Sequence, residues 1–97
     1  MLTSKERAYL RGLANSIPAI FQIGKDGISS NLEQQVIDAL EARELVKMNV
    51  LNNSLLEPRE ASQELAKNIH AEVVQVIGNK FILYKKSREN PVIQLPR

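Results

Sequence analysis

The chain of 97 residues has no cysteine, no tryptophan, one histidine and only four other aromatic residues. Without cysteine there are no disulfides, no thiolate metal ligands and no histidine–cysteine pair, and nothing opposes a reducing compartment. The single histidine, His70, falls where a third helix should end. It reads as a surface or capping residue interacting with the helix dipole. Glu57, Glu60, Glu64 and Glu72 lie along or just after an exposed helix face, and no Asp/Glu/His set has ligand spacing. Long apolar runs are also missing: none approaches the roughly 18–20 residues of a membrane span. The start, MLTSKERAYLRG, has no apolar stretch of a secretory signal. These absences predict a cytoplasmic protein without metal or cofactor, and not an enzyme.

What is present is enough for one hydrophobic core. A chain of this length buries roughly 60–70% of its unfolded surface, and 43% of the residues are hydrophobic. One domain is expected over 1–97, with 87–97 as a C-terminal tail. The net charge is +2, but it is unevenly spread: +2 over residues 1–27, −4 over 28–77 and +4 over 78–97. If the two basic ends meet in space, the protein has one basic face; the plainer alternative is a solvated surface.

Periodicity gives the elements. Leu10, Leu13, Ala14 and Ile17 form a helical stripe in a segment running from about Ser4 to Ser16, with Thr3 or Ser4 as cap and Pro18 as terminator. AIFQI (19–23) reads as a strand covered on both faces. SNLEQQVIDALEAR (30–43) is a second helix, with Ser30 and Glu33 as a capping box. ELVKMNVL (44–51) alternates as a strand, Val46, Met48 and Val50 on one face and Lys47 and Asn49 on the other. Pro58 opens a third helix with Ala61, Leu65 and Ile69 inward. EVVQVI and KFILYK flank Gly78-Asn79, a hairpin signal. The order α-β-α-β-α-β-β predicts an α+β fold. The first two strands are parallel through a right-handed crossover, the last two antiparallel, in a mixed four-stranded sheet with three helices.

The stretch QIGKDGISSN (22–31) carries the chemistry. Gly24-Lys25-Asp26-Gly27 is not a nucleotide-triphosphate loop. Ala19 stands where that pattern needs its first glycine, and Asp26 stands where it needs the Ser or Thr that binds magnesium. Two readings remain. One is a tight turn. The other is a loop whose glycines let a sugar-phosphate chain approach the backbone, with Lys25 and the dipole of the next helix adding positive potential. Asp26 opposes a purely electrostatic clamp. Phe21 and Phe81 read as core. Tyr9 and Tyr84 suit partial exposure, and Tyr84, beside Lys85 and Lys86, is a candidate for stacking on a base.

Taken together, LTSKERAYLRGLA, IFQIGKDGIS, ALEARELVKMNVL, EVVQVIGNKFILYKKS and the terminal LPR resemble the CRM domain (chloroplast RNA splicing and ribosome maturation), in particular its stand-alone bacterial, YhbY-like form. The resemblance spans nearly the whole chain. It implies an RNA-binding domain similar in fold to the C-terminal domain of translation initiation factor three, with a KH-like GxxG loop and an association with precursors of the large ribosomal subunit. By position it implies that Gly24, Lys25, Asp26 and Gly27 form the loop. It also implies that Lys5, Arg7 and Arg11 on the first helix, with Lys80, Lys85 and Lys86 around the hairpin, form an RNA face beside it. His70 is a departure: the resemblance leads one to expect glycine near that position. The expected partner is therefore RNA, probed by a monomeric protein. The rival expectation is a protein-interaction module meeting ribosomal proteins or an assembly GTPase through the acidic third helix.

Overall fold

The computed structural model describes residues 2–96. Its elements follow the predicted order: α1 (Ser4–Ala14), β1 (Ala19–Ile23), α2 (Ser30–Arg43), β2 (Leu45–Val50), α3 (Pro58–Ile69), β3 (Glu72–Ile77) and β4 (Lys80–Tyr84). The sheet order is β1-β2-β4-β3. β1 and β2 are parallel, and β4 is antiparallel to both of its neighbours. The ends of β1, β2 and β3 therefore lie together with the start of β4. The loops 24–29 and 51–57 and the hairpin turn 78–79 share that end.

Local chemistry sets the boundaries. Thr3 caps α1: its hydroxyl accepts from the Glu6 amide while the Glu6 carboxylate accepts from the Thr3 amide, satisfying two donors at once. At α2 the cap is Ser29 rather than Ser30, and its hydroxyl accepts from the Leu32 amide. Leu32 thus takes the position that the expected box assigned to Glu33, and Glu33 instead accepts from the Asn68 side chain. Gly78 takes φ 58° at the first turn position of the hairpin, where a side chain would be strained.

The sheet is packed on both faces. α2 and α3 cover one face through Val36, Leu40, Ala61, Leu65 and Ile69, which meet Ile23, Val46, Met48, Phe81 and Leu83. α1 covers part of the other face with Leu10 and Ala14 over Leu45, Val74, Ile82 and Tyr84. The tail belongs to this second layer, since Ile93 and Leu95 pack on the same cluster. β1 is not the covered strand that its apolar composition suggested. It is an edge strand, with Phe21 and Ile23 inward and Ile20 and Gln22 exposed.

The tail is held by two carboxylates. Glu44 is fully buried and sits between α2 and β2 at φ 66°, a left-handed conformation that normally favours glycine. Its carboxylate accepts from the amides of Ser87, Val92 and Ile93 at 2.8, 2.6 and 2.6 Å. Glu41, one turn earlier, accepts from the Ser87 hydroxyl and the amides of Arg88 and Glu89. At Glu44, burial pushes the pKa up, but the three amides and the Lys86 charge outweigh it, and the net displacement is downward. At Glu41 the Ser87 hydroxyl, then the Arg88 and Glu89 amides, also lower it.

The clasp and the caps lead to four expected outcomes. Glu44→Ala should cost about 3 kcal/mol in urea unfolding, because three tail amides lose their acceptor. Glu44→Gly loses the same bonds but removes about 1 kcal/mol of left-handed strain, so it should be the milder change. Both carboxyls ionise more readily folded than unfolded, so their contribution is complete above the usual carboxylate value of 4.5 and declines as pH falls through the lower folded values. Acid titration followed by amide NMR should therefore release residues 87–95 before β2 and β4 melt. His70 caps α3 at φ 60° with an exposed side chain. His70→Gly should raise stability by about 0.5–1 kcal/mol in the same unfolding assay.

Candidate nucleic-acid interface

The Gly24–Gly27 stretch is a closed turn, with the Gly27 amide donating to the Gly24 carbonyl at 3.1 Å. Gly27 needs its residue type for conformation: φ is +68°, and an added Cβ would meet nothing. Gly24 is packed instead, since a Cβ there would sit 3.4 Å from Asn53 Oδ1 and 3.5 Å from Leu51 Cδ1. Lys25 and Asp26 form the exposed tip. The turn leads directly into α2. Ser29 satisfies the Leu32 and Glu33 amides through its hydroxyl and carbonyl, which leaves those of Ser30 and Asn31 at the open first turn. A tight turn and an anion-accepting helix start are thus two descriptions of the same backbone.

Beside the turn, one row of side chains crosses the whole sheet. Gln22 pairs with Asn49, Asn49 with Lys80, and Lys80 with Ile77. Directly paired residues point to the same face, so these four stand side by side over about 14 Å, three strand spacings. Lys47 lies two residues from Asn49 and opposite Ile82, on that face as well. Gln22 and Ile77 are exposed, and Lys47, Asn49 and Lys80 are half-buried. Asn49 Oδ1 is buried with no hydrogen-bond partner.

α1 leaves this row uncovered because it crosses only the other half of the sheet. Leu13 of α1 and Ile17, just past the helix, lie with Pro18, Arg43, Leu45 and Ile93, toward the starts of β1 and β2. The opposite flank carries Arg7 and Arg11, one turn apart; Arg11 is exposed. Arg7 is already engaged: its guanidinium donates to the carbonyls of Val73 and Val74, where a bulge interrupts the β3–β4 pairing. Lys5, two residues from Arg7, projects from another side of the helix. The three basic residues of α1 do not form one patch.

The remaining expected site residues are elsewhere. Tyr84, Lys85 and Lys86 lie at the far end of β4, about 16 Å along the strand from Lys80. Only 6% of Tyr84 is exposed, so it has no ring face for a base, contrary to the expected partial exposure. Burial raises its hydroxyl pKa, and the Glu44 and Glu6 charges add to that. Lys85 donates to the Ile69 carbonyl at 2.9 Å, closing the C-terminus of α3. The basic ends therefore do not converge beside the turn: Lys80 reaches the loop end, and Lys85 and Lys86 stay at the Tyr84 end, where α1 packs. Gln22, Lys47 and Asn49 were not singled out from the sequence as site residues. The signal was available for two of them, as polar residues alternating within a strand that is otherwise buried. Among the described residues no three His, Asp or Glu side chains are grouped as metal ligands would be, and no helix is long and apolar enough to cross a membrane.

Comparison with known proteins agrees with this architecture. The chain is 44% identical over 96 residues to the "Probable RNA-binding protein YqeI" of Bacillus subtilis, covering 99% of this chain and 100% of that one. It is 29% identical over 96 residues to a Haemophilus influenzae protein named "RNA-binding protein", covering 99% and 96%. The solution structure of SAV1595 from Staphylococcus aureus superposes with a TM-score of 0.81 at 47% identity, covering 99% of this chain and all of that one. The CRS1/YhbY (CRM) domain matches residues 2–85. With the sequence pattern, the fold and these relatives in accord, the chain belongs to the CRS1/YhbY (CRM) domain family.

Proposed function

We propose that this protein binds RNA, and that its RNA is ribosomal RNA of the large-subunit precursor, engaged during ribosome assembly. It acts as a monomer in the cytoplasm, without cofactor and without catalysis. The observation that carries the RNA reading is the Gly24–Gly27 turn at the open start of α2, with Lys25 at its tip and Lys80 at the same end of the sheet. The names of the relatives and the family support the same partner. The ribosomal target rests on the resemblance to stand-alone bacterial members of the family.

The turn positions a phosphate and the lysines neutralise it. Backbone amides at a helix start hold an oxygen without sequence preference. Lysine contacts release counterions, which makes the affinity fall with salt. The near-neutral net charge of +2 means that this attraction is local to the loop end rather than a property of the whole molecule.

Fragments of large-subunit ribosomal RNA, titrated against an unrelated structured RNA, should bind more tightly than the control. Log affinity should decrease linearly with log salt concentration. Equal binding of both RNAs would remove the ribosomal assignment, and absence of binding at low salt would remove the RNA reading. Gly27→Glu should remain folded, because a side chain there meets open space at a conformational cost of about 1–2 kcal/mol. It should weaken RNA binding roughly tenfold, about 1.4 kcal/mol, through repulsion of the phosphate. A folded variant with unchanged affinity would take the turn out of the interface.

A further inference from the structure

The open half of the sheet is a surface with a specific chemical character. Its central row offers two amides, Gln22 and Asn49, then an ammonium, Lys80, then an exposed apolar side chain, Ile77, 58% of whose surface is accessible. Lys47 stands two residues below Asn49 on the same face. No carboxylate belongs to it: Asp26 is in the turn, and Glu72 pairs with Tyr84 at the opposite end of the sheet. The row starts two residues before Gly24, so it is continuous with the turn.

From this we infer that the open sheet half is where single-stranded RNA is read, the bases lying across Gln22, Asn49 and Lys80 while the Gly24–Gly27 turn holds the adjoining phosphate. The inference rests on the RNA reading above and adds the subsite and the form of the ligand.

The form follows from what the row can contact. Amide side chains pair with base edges, and in an A-form duplex the major-groove edges are too deep for side chains to reach while the shallow minor groove is read mostly by shape. A flat row on a sheet fits splayed bases of an unpaired strand. Stacking on aromatic rings, the usual device of sheet platforms, is absent here, since the row contains no aromatic residue. Recognition must therefore come from hydrogen bonds, and the molecule holds one in reserve. Asn49 Oδ1 is an orphaned acceptor, and buried polar atoms are rarely left so. Turning the Asn49 side chain outward about its Cα–Cβ bond brings the whole amide to the open face, where the amino group of a base or a ribose 2′-hydroxyl can donate to that oxygen. Lys47 and Lys80 flank Asn49 along and across the strands and neutralise phosphates on either side.

The test uses the whole protein, a fluorescein-labelled 12-nucleotide single-stranded RNA of mixed sequence, a duplex of the same length, and anisotropy at several salt concentrations. Wild type should prefer the single strand. Lys47→Ala with Lys80→Ala should lower affinity tenfold or more and reduce the salt slope by about 1.4, two phosphate contacts at roughly 0.7 each. Asn49→Leu removes the orphaned oxygen. Its melting temperature should stay level or rise while single-strand affinity falls roughly 5–20-fold, a split that a purely structural asparagine would not produce. Arg59→Ala with Lys67→Ala, on the exposed side of α3, serves as the charge-matched control and should bind as wild type does. If wild type binds RNA but the Lys47/Lys80 and Asn49 variants match it in affinity and slope, the sheet subsite is wrong and the RNA reading stands. Preference for the duplex would likewise overturn the subsite. If wild type binds neither probe nor ribosomal fragments, the RNA reading fails first.

Discussion

Several parts of the chain meet at one buried glutamate. Glu44 ends α2 by donating its amide to the Leu40 carbonyl, and its own carbonyl accepts from the Lys85 amide just beyond β4. Its side chain gathers three amides of the tail. One residue thus joins a helix, two adjacent strands and the last segment of the chain. A buried carboxylate would be unfavourable alone. Several short, charge-assisted hydrogen bonds offset its desolvation, and the same bonds order a segment that has no periodicity of its own. Glycine would take the backbone conformation more easily, so the glutamate is explained by what its side chain holds.

The clasp also decides which part of the sheet is covered. α1 is only 11 residues long, about 16 Å, and crosses one half of a face. The tail completes that half by bringing Ile93 and Leu95 against the Leu45, Ile82 and Tyr84 cluster. With the clasped tail packed there, the other half stays open to solvent. Its residues are the polar members of strands whose reverse side is fully packed by α2 and α3. The larger core cluster and the candidate interface therefore lie on opposite sides of the sheet: one side of β2 carries Val46, Met48 and Val50 into that core, and the other presents Lys47 and Asn49 beyond Leu45.

The fold was legible because its signals are local and mutually consistent. Alternation in β2, Pro58 at the first turn of α3 and the Gly78-Asn79 turn each point to the observed element. The site was legible only in part. Glycines in a loop can be read from the sequence, but the destination of a cation cannot. Arg7 has the same charge as Arg11 and lies one turn away, yet it is occupied by carbonyls at a bulge that no pattern in EVVQVI announces. Lys85 resembles Lys80 in sequence context and closes a helix 16 positions earlier in the chain. Gln22, Asn49 and Lys80 become neighbours only through register, a long-range property. Tyr84 looked half-exposed because its cover is the tail, and the carboxylates that hold the tail act on backbone amides, which leave no trace in residue identity.

The two ends of the sheet differ in how the chain turns. At one end a single residue, Glu44, joins α2 to β2, and two residues, His70 and Ala71, join α3 to β3. Both joints use a left-handed non-glycine residue to reverse direction at once. At the other end the connections run over residues 24–29 and 51–57. Insertions are tolerated where loops are exposed and loosely constrained. Mechanical latitude is consequently polarised: outside Gly24 and Gly27, the exposed loop positions at the glycine-turn end constrain the core less than the abrupt joints at the other end do. A scaffold of this kind can change what it recognises through two loops while its packing stays the same.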